Sequence, residues 1–302
     1  MLWTEKYRPN KINDIIGQQH FTLDAKTWIE ERNMPNVLIH GNPGNGKTSA
    51  SLVLAKEILG DSFTDNYIEV NASDDRRLEM VRTTIKNIAQ SATIGDAPFR
   101  IVLLDETDGM TSDAQNALKR IMERYSNNIR FIITCNDRNK IIFALQSRCA
   151  NYHFKPISND SMLEVIQSIL QKEGITRFEA NDLNSFIYAM NGDMRRAITE
   201  LQAAKASDSS LKAQVDNSLD EYRKILMKII DKQADSLQAI HNLLYDGYTI
   251  REICIGLHDA VLIADLDSNL KFKVLRTIGE SEWRSTTMTP KVLASWLIGQ
   301  LS

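Results

Sequence analysis

Short apolar runs alternate with helix-periodic stretches over the first half of the chain. The runs are Val37–His40, Tyr67–Val70, Arg100–Leu104 and Arg130–Thr134, near-continuously apolar as strands covered on both faces are. Between them, Ser49 to Leu59 (closed by Gly60), Asp74 to Gln90 and Ser112 to Ser126 carry the period of a helix. Strands separated by helices predict βαβ units and a parallel sheet. After Pro156 the strand-like runs stop. Ser161 to Lys172, Asn181 to Met190 and Met194 to Ala206 read as helices, the last opening after Gly192-Asp193. The polar stretch from Lys205 to Asn217 reads as a linker. From Leu219 onward the pattern is helical again, with breaks at Gly247 and at Ser285 to Pro290. The expected organisation is an α/β domain over 1–155, a small helical domain over 156–216 and an all-α domain over 217–302.

Composition narrows the class. The 302 residues are 43% hydrophobic and 25% charged, ordinary for a soluble domain protein. No apolar run approaches the roughly 18 residues of a membrane helix, and Met1 to Pro9 lacks the apolar core of a signal peptide. Membrane partners are therefore not expected. Cys135, Cys149 and Cys254 lie far apart and match neither a disulfide framework nor a zinc spacing, which suits a reducing intracellular compartment. The net charge of −3 gives the whole molecule no positive field, so any nucleic-acid binding must come from a local basic stripe.

Gly41-Asn42-Pro43-Gly44-Asn45-Gly46-Lys47-Thr48 carries the chemistry. It follows the strand Val37–His40 and leads through Ser49 into a helix, the context that a phosphate-binding loop requires. Glycines let backbone N–H groups turn inward around a β-phosphate, and the helix N-terminus adds partial positive charge. Lys47 then reaches the β- and γ-phosphates, and the Thr48 hydroxyl ligates Mg2+. The ligands implied are a nucleoside triphosphate and Mg2+.

The strand Ile101 to Leu104 ends in Asp105 and Glu106. In such a site Asp105 holds the metal beside Thr48, and Glu106 polarises the water that attacks the γ-phosphate. The next strand ends in Asn136, either a sensor that orients that water from between the two earlier strands or an ordinary strand-end cap. Arg148, in Ser147-Arg148-Cys149, and Arg195, in Gly192-Asp193-Met194-Arg195-Arg196, complete the candidates. Spacing alone promotes neither arginine above a solvated side chain.

Six ordered blocks resemble the AAA+ clamp-loader ATPases, specifically the replication factor C small subunits. They are Trp3-Thr4-Glu5-Lys6-Tyr7-Arg8-Pro9, the phosphate loop, Asn71-Ala72-Ser73-Asp74-Asp75, Asp105-Glu106-Thr107-Asp108, Ser147-Arg148-Cys149, and Gly192 to Ala197 with Leu201-Gln202. The likeness runs over essentially the full length, most weakly in the last third. It implies an AAA+ α/β P-loop domain, a helical lid and an all-α collar. Tyr7, Arg8 and Pro9 would fold over the adenine, Asn136 would sense the γ-phosphate, and Arg195 would close onto ATP from the lid. Arg148 would be the arginine finger inserted into the neighbouring subunit's site. Thr107, where the family has Ala, and Asn42, where Pro is common, are departures that supply no ligand.

The resemblance also implies partners: a clamp-loader large subunit, other small subunits in a pentamer, a sliding clamp and primer–template DNA. Two helices would face the DNA. One carries Arg82 and Lys86 beside the apolar stripe Leu78, Val81, Ile85 and Ile88; the other carries Lys119 and Arg120 off the stripe Ala114, Leu118, Ile121 and Met122. Without the resemblance these are solvated charged faces. Localisation would be cytoplasmic in an archaeon and nuclear in a eukaryote. Two alternatives stay open, a branch-migration helicase and a structural loader subunit without hydrolysis. The Ser-Arg-Cys and Tyr-Arg-Pro blocks disfavour the first, and the complete catalytic set disfavours the second.

Overall fold

Five strands make one sheet: β1 (Val37–His40), β2 (Tyr67–Asn71), β3 (Arg100–Asp105), β4 (Ile129–Cys135) and β5 (Ala150–His153). Their spatial order is β2-β3-β4-β1-β5, and every neighbouring pair is parallel. A computed structural model describes residues 1–72, 79, 81–175, 180–207 and 218–301.

Alternation along each strand feeds two cores. Val37, Ile39, Ile101, Leu103 and Ile132 pack on one face with Phe21 and Ala25 of the helix Gln19–Glu30 and with Val53, Leu54 and Ile58 of the helix Lys47–Leu59. Leu38, Val102, Leu104, Phe131 and Ile133 pack on the other with Ala114, Leu118, Ile121 and Met122 of the helix Ser112–Arg124. The Ser112–Arg124 stripe thus faces the sheet as its period predicts, leaving Arg120 exposed and Lys119 half-buried.

Three of the four anticipated strands run one residue beyond the predicted bounds. The fifth, β5, went unread because Ala150-Asn151-Tyr152-His153 buries only Tyr152 and shows no apolar run, whereas the other edge strand, β2, carries Tyr67, Ile68 and Val70. The region expected as one helix from 74 to 90 is described in part. It winds as a π-helix over Val81–Ile85 and an α-helix over Lys86–Gln90, with Ile85 buried and Lys86 exposed. Leu78 and the side chains of Val81 and Arg82 lie outside the described residues, as does the block Ser73 to Asp75.

Beyond β5 the described residues hold no strand. Helices Asn159–Lys172, Ala180–Met190 and Met194–Ser207 follow. The chain divides into two compact units, Met1–Leu211 and Lys212–Ser302, a division that falls within the predicted linker. Most of that linker, 208–217, lies outside the described residues.

The second unit holds the helices Ser218–Ile230, Ser236–Tyr245, Ile250–Ile263, Ser268–Arg284 and Pro290–Leu301 around a core including Leu226, Ile229, Ile253, Leu257, Val274 and Leu297. Two of its four breaks match the expected ones. The others lack glycine or proline. At one, Lys232 takes a left-handed φ of 54°. At the other, the Asp267 side chain accepts from Asn269 N at 3.0 Å and caps the next helix. No described helix is long and apolar enough to cross a membrane.

Candidate functional site

The loop between β1 and the helix Lys47–Leu59 is held against the sheet by its own residues. Gly41 N donates to Cys135 O at 3.3 Å, and Asn45 Nδ2 donates to Phe154 O at 3.0 Å. Gly41 has φ 146°, and a Cβ there would stand 2.2 Å from Phe154 O, so only glycine lets the loop lie this close to the end of β5. Gly44, at φ 78°, admits the carboxylate of Asp193, which would lie 1.8 Å from an added Cβ. Asn42 and Pro43 form the turn between these two glycines.

Lys47 opens the helix and is nearly buried, at 9% exposure. Its ammonium donates to Gly41 O at 2.7 Å, Asn42 O at 2.9 Å and Asn136 Oδ1 at 2.9 Å. Burial pushes its pKa down, Asp105 opposes that, and the charge of Arg195 adds to the downward push. The cation is thus aimed along the inside of the loop, where an anion would relieve its desolvation. β4 lies between β1 and β3, which brings Asn136 to Lys47 as the central-strand expectation requires.

Beside it, Thr48 Oγ1 donates to Asp105 Oδ2 at 3.0 Å. A hydroxyl and a carboxylate at the end of a buried strand are hard oxygen donors, the set that suits Mg2+. Asp105 is itself oriented by Thr134, whose hydroxyl donates to Oδ1, and by Glu106 N at 3.1 Å. Glu106 N also lies 3.3 Å from Thr134 Oγ1. Glu106 adopts φ 54°, a left-handed backbone rare for a side chain with a Cβ, and its side chain is exposed. That turn ends the strand while the Glu106 amide stays bonded to Asp105. Thr107 is fully buried, and its hydroxyl is satisfied by Leu104 O at 3.0 Å, so the departure from Ala leaves no unpaired group.

A cavity of about 600 Å3 opens beside the loop. Tyr7, Arg8 and Pro9 line it from the N-terminal segment, Gly44, Asn45, Gly46 and Ser49 from the loop, and Arg195 from the helix Met194–Ser207. Lys47 and Thr48 are bonded instead to Asn136 and Asp105. The cavity and the bonded set therefore meet along the loop.

Arg148 is directed elsewhere. Its Nε donates to Glu123 Oε1 at 2.7 Å, its Nη2 bonds the same oxygen, and its Nη1 donates to Ala144 O at 2.7 Å. The predicted site residues thus fall into a bonded set around Lys47 and Asp105, a cavity set around Tyr7 and Arg195, and Arg148 apart from both. Thr134 is the residue that motif reading missed. A hydroxyl inside the apolar run of β4 was the available signal.

The family model described as ATPase family associated with various cellular activities (AAA) matches residues 37–157, which hold the sheet, the loop, Asp105, Glu106 and Asn136. A second, the Alp7A C-terminal domain, matches residues 134–249. That span begins inside β4 and crosses the division at 211, so it corresponds to no folded unit of this chain and carries no argument. The replication factor C small subunit of Methanococcus maripaludis is 37% identical over 290 residues, 93% of this chain and 92% of that protein. Those of Methanocella arvoryzae and Archaeoglobus fulgidus are 38% and 35% identical, each over 94% of this chain and over 91% and 92% of theirs. Among solved structures, the Thermotoga maritima RuvB Holliday junction branch migration motor superposes with a TM-score of 0.58, covering 83% of this chain and 85% of that one at 14% identity. At that identity the likeness is one of fold.

Proposed function

This chain belongs to the replication factor C small-subunit family of AAA ATPases, and from that membership we propose that it hydrolyses ATP as one subunit of a loader that opens a sliding clamp and sets it on primer–template DNA. The observation that carries the reading is the bonded set Lys47–Asn136 and Thr48–Asp105–Thr134, with Glu106 turned off the strand end beside it. A loader subunit that had lost hydrolysis would have no need to keep this set intact. The RuvB likeness is one of fold and lends the helicase reading no support, because the long sequence relatives are replication factor C small subunits.

The proposed roles follow the contacts. Lys47 and the loop amides bind the β- and γ-phosphates, and Tyr7, Arg8 and Pro9 wall the base. Thr48 and Asp105 hold Mg2+, which when bound neutralises charge on the phosphoryl oxygens. Glu106 takes the proton of the attacking water, while Asn136 and Arg195 register the γ-phosphate. Arg148 acts on the neighbouring subunit's nucleotide, so assembly with a large subunit and other small subunits, as a pentamer, completes each site. In this scheme 1–155 is the motor, 156–216 the lid and 217–302 the collar, and Arg82, Lys86, Lys119 and Arg120 follow the DNA backbone.

The test is ATP turnover in the assembled complex, with and without clamp and primed DNA. Glu106→Gln is expected to retain ATP binding and lose hydrolysis. Arg148→Ala is expected to lower turnover by about 10^3 or more while the chain's own ATP affinity holds. Duplex unwinding without a clamp would instead indicate a helicase, and zero turnover by the parent a structural subunit.

A further inference from the structure

Glu173 caps the helix Asn159–Lys172 and gathers two distant parts of the chain. Lys6 Nζ and the Tyr7 hydroxyl each donate to its Oε1 at 2.5 Å, and Lys205 Nζ donates to its Oε2 at 2.7 Å. The Glu173 side chain is only 9% exposed, although both lysines reach solvent. The same junction holds Trp3, buried at 5%, whose N–H donates to Gln202 Oε1 at 2.8 Å. Lys205 stands 5.3 Å from the Trp3 ring centre and Lys172 5.9 Å from that of Tyr7.

The N-terminal segment is therefore fastened to the end of the helix Asn159–Lys172 and to the helix Met194–Ser207, which carries Arg195. Its other end is fastened differently. Ile12 is buried in the sheet core, and its N–H lies 3.4 Å from Glu57 Oε1 on the helix Lys47–Leu59. Tyr7, Arg8, Pro9 and Asn10 run between the two anchors and line the cavity that Arg195 also lines. An ordinary surface ion pair contributes little. A nearly enclosed carboxylate that accepts from three donors on two segments instead sets the position of what it holds.

We propose that Glu173 is a positioning residue for the nucleotide. By holding Lys6, Tyr7 and Lys205 on one carboxylate, it joins the base-side wall of the cavity to the lid, so that this wall and Arg195 move as one piece. This rests on the ATP-binding reading given above and adds to it the residue that pre-forms the base wall. Pre-forming the wall removes an ordering cost from binding, which appears as affinity and not as a faster chemical step.

The experiment uses the full chain carrying Glu173→Ala or Glu173→Gln beside the parent. Equilibrium binding of ATP and backbone hydrogen exchange are measured on the chain, and KM and kcat in the assembled complex. Glu173→Ala is expected to weaken ATP binding about tenfold and to raise KM in step, with kcat at saturating ATP within about twofold of the parent. Exchange should quicken in residues 1–11 and stay unchanged across 37–60. Glu173→Gln, which keeps the shape and an acceptor oxygen, should fall between. Parent-like affinity in both variants, or exchange that quickens throughout the first unit, overturns the proposal. A parent that binds no ATP overturns the functional reading along with it.

Discussion

Two ammonium groups and a phenol hold Glu173 ionised well below the usual carboxylate range. Hydrogen bonds from Lys205, Lys6 and Tyr7 lower its pKa from 4.5 to about 2. A carboxylate depressed in the folded chain stabilises it above the unfolded value, and that contribution fades as pH falls through the folded one. The stability gap between the parent and Glu173→Gln is therefore expected to be flat at neutral pH and to close as pH drops from 4.5 toward about 2, read by thermal unfolding of the full chains. At the alkaline end the same junction weakens, because Lys6 and Tyr7 both carry raised values and their contributions vanish only as pH rises past them. Neutral pH leaves the junction charged and closed. Thr134 teaches a related lesson at this scale: its hydroxyl, fully buried, finds its partner in Asp105, so a polar residue in an apolar strand marked the carboxylate side of the site.

Among the elements, the helix Ile250–Ile263 carries a glycine where helix propensity favours alanine. Propensity alone predicts that Gly256→Ala stabilises by up to about 1 kcal/mol. Packing says otherwise, because an added Cβ would stand 2.2 Å from the ring of Tyr222, a buried side chain of the helix Ser218–Ile230. Overpacking of this kind costs about 1–3 kcal/mol, which exceeds the propensity gain, so the expected outcome is a net loss of up to about 2 kcal/mol in denaturant unfolding. This is the kind of fact that pattern reading cannot supply, since it depends on which helices meet. The sheet was legible because β1, β3 and β4 are buried on both faces and β2 still shows Tyr67, Ile68 and Val70, and the glycine loop because its backbone needs glycines at fixed offsets. β5 was not, as it buries only Tyr152 and so leaves no apolar run. The helix breaks at Lys232 and Asp267 were missed for want of glycine or proline. Of the site, Lys47, Thr48, Asp105 and Asn136 were each named from the sequence, and the fold bonds them in two pairs, Lys47 with Asn136 and Thr48 with Asp105. Glu173 was unreadable, because its partners lie 167 residues before it and 32 after.

For the molecule as a whole, a net charge of −3 offers DNA no general attraction, so the proposed contacts depend on individual cations. Lys86 and Arg120 are exposed on the helices Lys86–Gln90 and Ser112–Arg124. Phosphate contacts of this kind position a duplex without reading its sequence. Arg82→Ala or Lys86→Ala is therefore expected to lower DNA-stimulated turnover of the assembled loader on any primed sequence and to reduce the salt slope by about 1, while ATP affinity holds. Unchanged stimulation and salt slope in both variants would remove these helices from the DNA path.

The two anchors of the N-terminal segment also set a distance. From Tyr7, bonded to Glu173, to Ile12, buried in the sheet core, the chain can extend to no more than roughly 18 Å at about 3.5 Å per residue. On the proposed reading, a lid turning on the connection after β5 would swing on a leash of that length. The tether would then cap how wide the cavity opens, whatever torque an assembly applied, and unfastening Glu173 would be the way to lengthen it.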